Sequence, residues 1–437
     1  MKNSTDKPLL AVISQGCAAN FGEGEKIARL FENEYDVSFG LPDRDSAEPA
    51  VFVLNICTVK GNSTALKLLR EAKAFAPAAS ILITGCAPKD LQDEVNNLFD
   101  DVKFTSLEAL DKQRKTVISS ITTSPAVLRE SPLVGIVNIE EGCLDACAYC
   151  STRLVKGRLR SFPARDIISQ VQQLVTDGCV EIQLTGQDCG CYGFDFAETY
   201  TSKVPARNLA ELVQQILVHV PGDYRIRLGM GNPRHIKNYL EPLMECFQDD
   251  RVYKFIHLPV QSGSERVLQA MNRKHTVRDY IILAEEFNKR FSHFTLSTDL
   301  IVGFPGETDR DFKDTLQVLQ ETRPTVCNIT RFVCRPGTPA SHLPNIVPDA
   351  IKHQRSADLA AAFQIIAAEN NSRWIGLQER VTIEKTGYRQ GTIIARNDAY
   401  RPVAITESSF TGQSLKPGSR LRVNITSAEP FALIGTP

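Results

Sequence analysis

The sequence predicts an α/β chain with three parts: a doubly wound parallel-sheet domain, a partial parallel barrel of roughly six β/α units, and a small antiparallel β-barrel. Three observations carry this. Apolar β-branched runs alternate with amphipathic helical patterns from residue 9 to about 345. The alternation is interrupted once, around 106–135, by a helix and a Ser/Thr/Pro-marked linker. From Trp374 onward the helical pattern gives way to short β-runs separated by turn residues. The boundaries read as 1–125, 126–372 and 373–437.

In the first part, LLAVISQGC, VFVLNIC and SILITGC are three strand-like runs ending in Cys17, Cys57 and Cys86. Helical patterns follow, such as GEKIARLFENE with Ile27, Leu30 and Phe31 on one face, and STALKLLREAKAF. A parallel sheet presents every strand's carboxyl end at one edge, where ligands bind. Three cysteines at that register are therefore expected to converge although far apart in the chain. The shared register favours a metal site over three separate packing positions.

Strand candidates in the second part are 134–140, 180–186, 224–230, 253–260, 294–304 and 325–333. The clearest helix is PARDIISQVQQLVTDG, where Pro163 suits a first turn and Gly178 a C-terminal stop. Six units point to an open or partial barrel, with a full eight-unit barrel as the alternative. A helix over 348–371 bridges to the last part, whose runs RVTIEKTG, GTIIARN, YRPVAI and SRLRVNITSA read as an antiparallel barrel.

Composition bounds what this chain does. At 437 residues, with 42% hydrophobic and 23% charged, it is a globular chain of two to four domains. A net charge of −1 advertises no global field for nucleic acid. No apolar run approaches the roughly 18 residues of a membrane span, and the start lacks a signal-peptide core, so a cytoplasmic location is expected. Twelve cysteines in a reducing compartment point to metal or redox chemistry rather than to disulfides.

The chemistry concentrates in EEGCLDACAYC, which spaces Cys143, Cys147 and Cys150 as C-x3-C-x2-C directly after the first strand of the second part. Structural zinc needs four ligands, and no fourth Cys or His lies nearby. Three thiolates on one loop suit a cubane iron–sulfur cluster with one iron left open as a reactive coordination site.

This spacing, with Tyr149 before the last cysteine, resembles the radical S-adenosylmethionine (SAM) superfamily. Further segments, LTGQDCGCYGFD, HLPVQSGSERVLQAMNR, TDLIVGFPGET and CRPGTPA, resemble its methylthiotransferase branch, and the C-terminal barrel resembles that branch's TRAM module. NICTVKGNS and RLGMGNP resemble the archaeal and eukaryotic group, which modifies N6-threonylcarbamoyladenosine at C2 in tRNA position 37. The resemblance implies a central radical-SAM (β/α)6 barrel, SAM as cofactor, and two [4Fe-4S] clusters. One cluster would sit on Cys143, Cys147 and Cys150, and an auxiliary one on Cys17, Cys57 and Cys86. One SAM would supply the methyl group and another the 5′-deoxyadenosyl radical. An unactivated C2–H bond demands such a radical, because no ordinary base or nucleophile functionalises it. The implied partners are a tRNA anticodon loop, a reducing electron donor and a sulfur donor, with no membrane. The same chemistry on isopentenyladenosine or on a ribosomal-protein aspartate is the alternative.

No catalytic side chain is expected beyond the cluster ligands. By resemblance Gly186 and Gln187 meet the methionyl amino group, although an ordinary strand-ending turn reads the same way. Gln261 and Ser262 either approach ribose or adenine or cap a helix. Asp299, in an otherwise apolar strand, is a polar contact in the cavity or half of a salt bridge. Glu307 reads as a first-turn helix acid. Lys156, Arg158 and Arg160 after the cluster loop, and Arg396 and Arg401 beside Tyr400 in the last barrel, suit either RNA contact or a solvated face. The other six cysteines are expected to be non-ligands. Relatives read G-C-x-x-N-x-x-D-[SG]-E at the first cysteine, where this chain has GCAANFGEGE, keeping Asn20 and a nearby acid, Glu25. Asp145 stands where an Asn is commoner, and Lys156 where an Arg is usual.

Overall fold

The structure, a computed structural model, describes residues 7–43, 45–57, 60–114, 128–197, 206–387, 390–406 and 415–436. Its packing divides into two units: residues up to 143 together with 150–187, and 144–149 together with 188–437. The boundary expected at 125/126 lies outside the described residues.

The first unit opens with five parallel strands: β1 (Leu9–Ser14), β2 (Asp36–Phe39), β3 (Val51–Ile56), β4 (Ser80–Gly85) and β5 (Val102–Phe104), in the order β2-β1-β3-β4-β5. Strand alternation sends Leu10, Val12 and Val53 to one face, against Ile27, Leu30 and Phe31 of the helix Ala18–Phe31. Ala11, Ile13, Phe52 and Leu54 go to the other, against Leu66 and Leu69 of the helix Asn62–Phe75. Helices therefore cover both faces, the condition under which parallel strands are apolar throughout. Two strands were not anticipated. β2 is DVSF and β5 is VKF, too short to show periodicity.

The same unit carries β6 (Val134–Asn138), β7 (Glu140–Glu141), β8 (Arg160–Ser161) and β9 (Glu181–Thr185). β6 and β9 pair in parallel, and β7 and β8 form a short antiparallel ribbon. The helix Ala164–Thr176 buries Ile167, Val171 and Leu174, with Pro163 at its cap and Gly178 at φ +94° after its end.

The second unit continues with β10 (Arg225–Leu228), β11 (Phe255–His257), β12 (Thr295–Val302) and β13 (Val326–Arg331). β11, β12 and β13 are laddered in parallel, and bridges Ile226↔Val252 and Met230↔His257 extend the set to β10. Reciprocal capping boxes at Thr276/Asp279 and Thr308/Asp311 start the helices Val277–Arg290 and Asp309–Thr322. With β6 and β9, these strands give six β/α repeats in chain order, and not eight, among the described residues.

The helix Asp349–Ser372 leads into β14 (Gln378–Thr386), β15 (Thr392–Asn397), β16 (Pro402–Thr406), β17 (Arg420–Glu429) and β18 (Ala432–Thr436), a closed barrel ordered β14-β15-β16-β18-β17. Val381, Ile383, Ile393, Val403, Val423, Ile425 and Leu433 fill it. β18, ALIGT, is the one barrel strand that the sequence pattern does not show. Among the described residues no helix is long and apolar enough to cross a membrane.

Candidate cysteine and cofactor sites

β1, β3 and β4 are neighbours in register, with Ser14 opposite Asn55 and Asn55 opposite Thr84, so the residues just beyond them share one edge. Gly16, at φ +106°, turns the chain there, and a Cβ at that position would overlap the Cys57 side chain. Cys17 then caps the helix Ala18–Phe31 and reaches solvent, whereas Cys57 and Cys86 are buried. Asn20, in the first turn, ties the edge together. Its amide donates to Gln15 O at 3.0 Å and Ile56 O at 2.7 Å, and its Oδ1 faces Cys86 Sγ at 3.8 Å. Burial pushes the Cys86 thiol up to about 12, against the pull of the Lys156 ammonium. Cys17 keeps a solvent-facing surface, yet the protein packed around it and the neighbouring Cys57 still raise its thiol. Such thiols stay protonated alone and are deprotonated by a bound metal.

Lys156 is not on a solvated face. It is 9% exposed and paired with Glu23, itself 9% exposed, with Glu141 Oε1 at 3.9 Å. It thus fastens the N-terminal helix to the segment after the cysteine loop. Arg158 and Arg160 are exposed, the latter bonded to Glu141 at 2.7 Å and set 5.5 Å from the Phe162 ring centre.

Within the first unit, Gln187 Oε1 accepts the Gly142 N–H at 2.7 Å, holding the residue before Cys143. Gly186 lies against Glu140, where any Cβ would overlap its carboxylate. Within the second unit, Ala148 is anchored twice through its backbone, donating to Met271 O at 2.9 Å and accepting from Ala340 N at 2.8 Å. Asp145 is buried and accepts from Asn232 Nδ2 at 2.7 Å, lies 3.0 Å from His235 Nε2, and pairs with Arg234. Burial alone would raise its carboxyl, but His235 and Arg234 hold it below the ordinary carboxylate range. Arg273 donates to Cys147 Sγ at 3.6 Å. Cys143, Cys147 and Cys150 are all partly exposed. Accessible sulfurs, one of them already receiving a cationic donor, fit thiolate ligation of a [4Fe-4S] cluster.

Gln261 adopts φ +76°, and its N–H donates to Asp299 O at 2.9 Å. Ser262 is buried, its Oγ accepting from Ser264 N at 3.2 Å and lying 3.4 Å from Thr315 Oγ1, whereas the residue that caps the helix Glu265–Ala270 is Ser264. Asp299 Oδ1 meets His257 Nε2 and Asn328 Nδ2, each at 2.8 Å. Burial works against that carboxylate, but the His257 contact keeps it below its usual range. Glu307 is not a solvated first-turn acid. It is buried, accepts the Gly303 N–H through both oxygens, and pairs with Arg355 at 2.7 Å. His257, Asn328, Arg273 and His235 are not evident from the sequence, because nothing local marks a polar residue as facing a partner far along the chain.

In the last barrel Arg401 is 3% exposed and donates to Asn371 Oδ1 at 2.5 Å. Arg396 lies 4.1 Å over the Tyr400 ring and pairs with Glu384. Both are engaged within the chain. Of the six other cysteines, four are buried: Cys179, Cys189, Cys191 and Cys246. Cys327 is partly exposed and Cys334 exposed.

A radical SAM fold with a C-terminal TRAM barrel is the class these features define: the Radical SAM superfamily matches residues 137–319, and the TRAM domain 374–437. Residues 10–106 match Uncharacterized protein family UPF0004. The chain is 35% identical over 421 residues to a probable threonylcarbamoyladenosine tRNA methylthiotransferase of Archaeoglobus fulgidus, covering 92% of this chain and 93% of that one. It is 30% identical to the Homo sapiens threonylcarbamoyladenosine tRNA methylthiotransferase, over 92% of this chain and 70% of that one. In fold it is similar to the radical SAM methyltransferase TsrM from Kitasatospora setae with cobalamin and a [4Fe-4S] cluster bound (TM-score 0.51, 12% identity, 77% of each chain). The chain belongs to the threonylcarbamoyladenosine tRNA methylthiotransferase family. The radical SAM fold implies SAM and a [4Fe-4S] cluster.

Proposed function

We propose that this enzyme transfers a methylthio group to C2 of N6-threonylcarbamoyladenosine at tRNA position 37. Cys143, Cys147 and Cys150 hold the cluster that binds SAM, and Cys17, Cys57 and Cys86 hold an auxiliary [4Fe-4S] cluster for the sulfur. When bound, the first cluster with SAM supplies the radical that takes hydrogen from C2, and a second SAM supplies the methyl group. The observation that carries this reading is the shared edge of β1, β3 and β4, which gathers a second cysteine trio in a chain already carrying the C-x3-C-x2-C loop.

The chain's own residues have separable tasks. Asn20 holds the edge on which the first trio stands. Gln187 holds the residue before Cys143, and the two bonds to Ala148 hold the segment 144–149. Gln261 and Asp299 sit at the carboxyl end of the β11–β12 pair, the edge where SAM is bound in this reading. RNA contact falls to exposed Arg158 and Arg160 and to the TRAM barrel surface, with buried Lys156 and Arg401 acting as supports. A sulfur donor and an electron donor complete the cycle.

Two measurements test this. Anaerobically purified chain is expected to hold two [4Fe-4S] clusters, and Cys150→Ala to abolish SAM cleavage while keeping the auxiliary iron. Loss of all iron from that variant contradicts two independent sites. The modified-nucleoside profile of tRNA from a deletion strain is expected to lack 2-methylthio-N6-threonylcarbamoyladenosine. An unchanged peak, with loss instead from isopentenyladenosine or from a ribosomal aspartate, redirects the substrate.

A further inference from the structure

Cys147 does not face a neutral environment. The Arg273 guanidinium donates to its sulfur at 3.6 Å, and the same guanidinium is fixed by two further acceptors, Asn232 Oδ1 at 3.0 Å and Pro259 O at 2.8 Å. Asn232 is itself fixed: its Nδ2 donates to Asp145 Oδ2 at 2.7 Å, and its N–H to Asp188 Oδ1 at 2.9 Å. Asp145 lies within the cysteine loop, two residues from Cys147, and is also held by Arg234 and His235. A closed circuit results, running from Cys147 through Arg273 and Asn232 to Asp145 and back along the loop. Planar guanidinium and three acceptors leave little room for the charge to move. An exposed lysine would wander, and this arginine is not built that way.

An arginine keeps its charge at every pH a protein survives, so the sulfur faces a permanent cation. Taking up one electron makes a thiolate-ligated cluster one charge more negative, and donors to its sulfurs favour that state. We propose that Arg273 is a positioning residue that raises the reduction potential of the cluster on Cys143, Cys147 and Cys150 by holding its guanidinium on the Cys147 sulfur. This rests on reading those cysteines as cluster ligands. Asp145 and Asn232 serve it by aiming the guanidinium, and the group also restrains the loop between Cys143 and Cys147.

The test uses full-length, anaerobically reconstituted protein carrying Cys17→Ala, Cys57→Ala and Cys86→Ala, so that one cluster remains. Its midpoint potential is read by EPR during titration with dithionite, beside iron content and SAM affinity. Arg273→Gln is expected to keep its iron and to lower the equilibrium constant for reduction at least tenfold, about 59 mV for one electron. Arg273→Lys, which keeps the charge, is expected to recover most of that shift. Where Arg273→Gln fails to hold iron, Asn232→Ala is read instead, with the same direction of shift expected. Iron retained with an unmoved potential overturns the proposal, as does a change confined to SAM affinity. A background protein without iron overturns the ligand assignment first and the proposal with it.

Discussion

Asn20 places its side-chain amide 2.7 Å from the carbonyl oxygen of Ile56, the residue immediately before Cys57. One buried side chain at the start of the first helix thus holds the end of a strand from another part of the chain. Its second amide bond goes to Gln15 O, just ahead of Cys17, and its oxygen faces Cys86. Removing it leaves the half-buried Gln15 carbonyl without this donor and the Ile56 carbonyl with the Cys86 N–H alone, at a cost of about 1 kcal/mol. Asn20→Ala is expected to drop iron and sulfide to about one cluster per chain, with SAM cleavage retained. Iron content equal to the parent's would refute a role at this edge.

Lys156 and Glu23 form an almost fully buried pair. Removing one partner strands the other's charge, which costs about 3–5 kcal/mol, whereas removing both costs much less. Lys156→Met is therefore expected to lower the urea midpoint clearly, and Glu23→Gln added to it to restore a good part. Lys156→Arg should remain close to the parent. Additive single and double losses would mean that the pair is not coupled.

Glu25 is 3% exposed, and burial pushes its carboxyl up to about 7 against the opposing pull of the Glu130 N–H and the Arg129 charge. The folded chain keeps that proton to about pH 7, and the unfolded chain releases it near 4.5. Between these values the folded state binds more protons, so this residue's contribution to stability falls as pH rises and stays lost above pH 7. Glu25→Gln is expected to stabilise the chain at pH 8 by on the order of 2–3 kcal/mol and to change little at pH 4.5. Denaturant melts at the two pH values decide it, and equal effects at both would reject the assignment.

Arg355 reaches from the helix Asp349–Ser372 to buried Glu307 at 2.7 Å and to Asp309 at 2.7 Å. Arg355→Ala leaves Glu307 buried with backbone donors at Gly303 and Phe304 but no counter-charge, a loss of about 3–5 kcal/mol. Thermal melts of the variant should fall by several degrees, and Glu307→Gln combined with Arg355→Met should fall by less. A melt unchanged in Arg355→Ala would show that the long helix is held by its apolar contacts alone.

The fold classes were legible because period-2 and period-3.6 patterns are local. β1, β3 and β4 show themselves as apolar runs, and Ile167, Val171 and Leu174 as one helix face. Where elements shrink below five residues, as in DVSF and VKF, no period survives to be read. The cysteine trios were legible for the same reason: C-x3-C-x2-C is a local spacing, and a cysteine ending each of three strands is a register that any parallel sheet brings to one edge.

What the chain's order of residues determined by itself is therefore which of the longer elements form, which sheet edge carries the cysteines, and which family the whole belongs to. Only the folded structure decided the partners of its polar residues. Lys156 and Arg401 read alike with Arg158 and Arg396 as free cations along the chain, yet Glu23 and Asn371 bury the first two. Glu307 reads as a helix-start acid until Arg355 arrives, and Arg273 gives no hint of Cys147. The physical reason is that a charge is stabilised or penalised by what stands within a few ångströms of it, and long-range folding alone sets those neighbours.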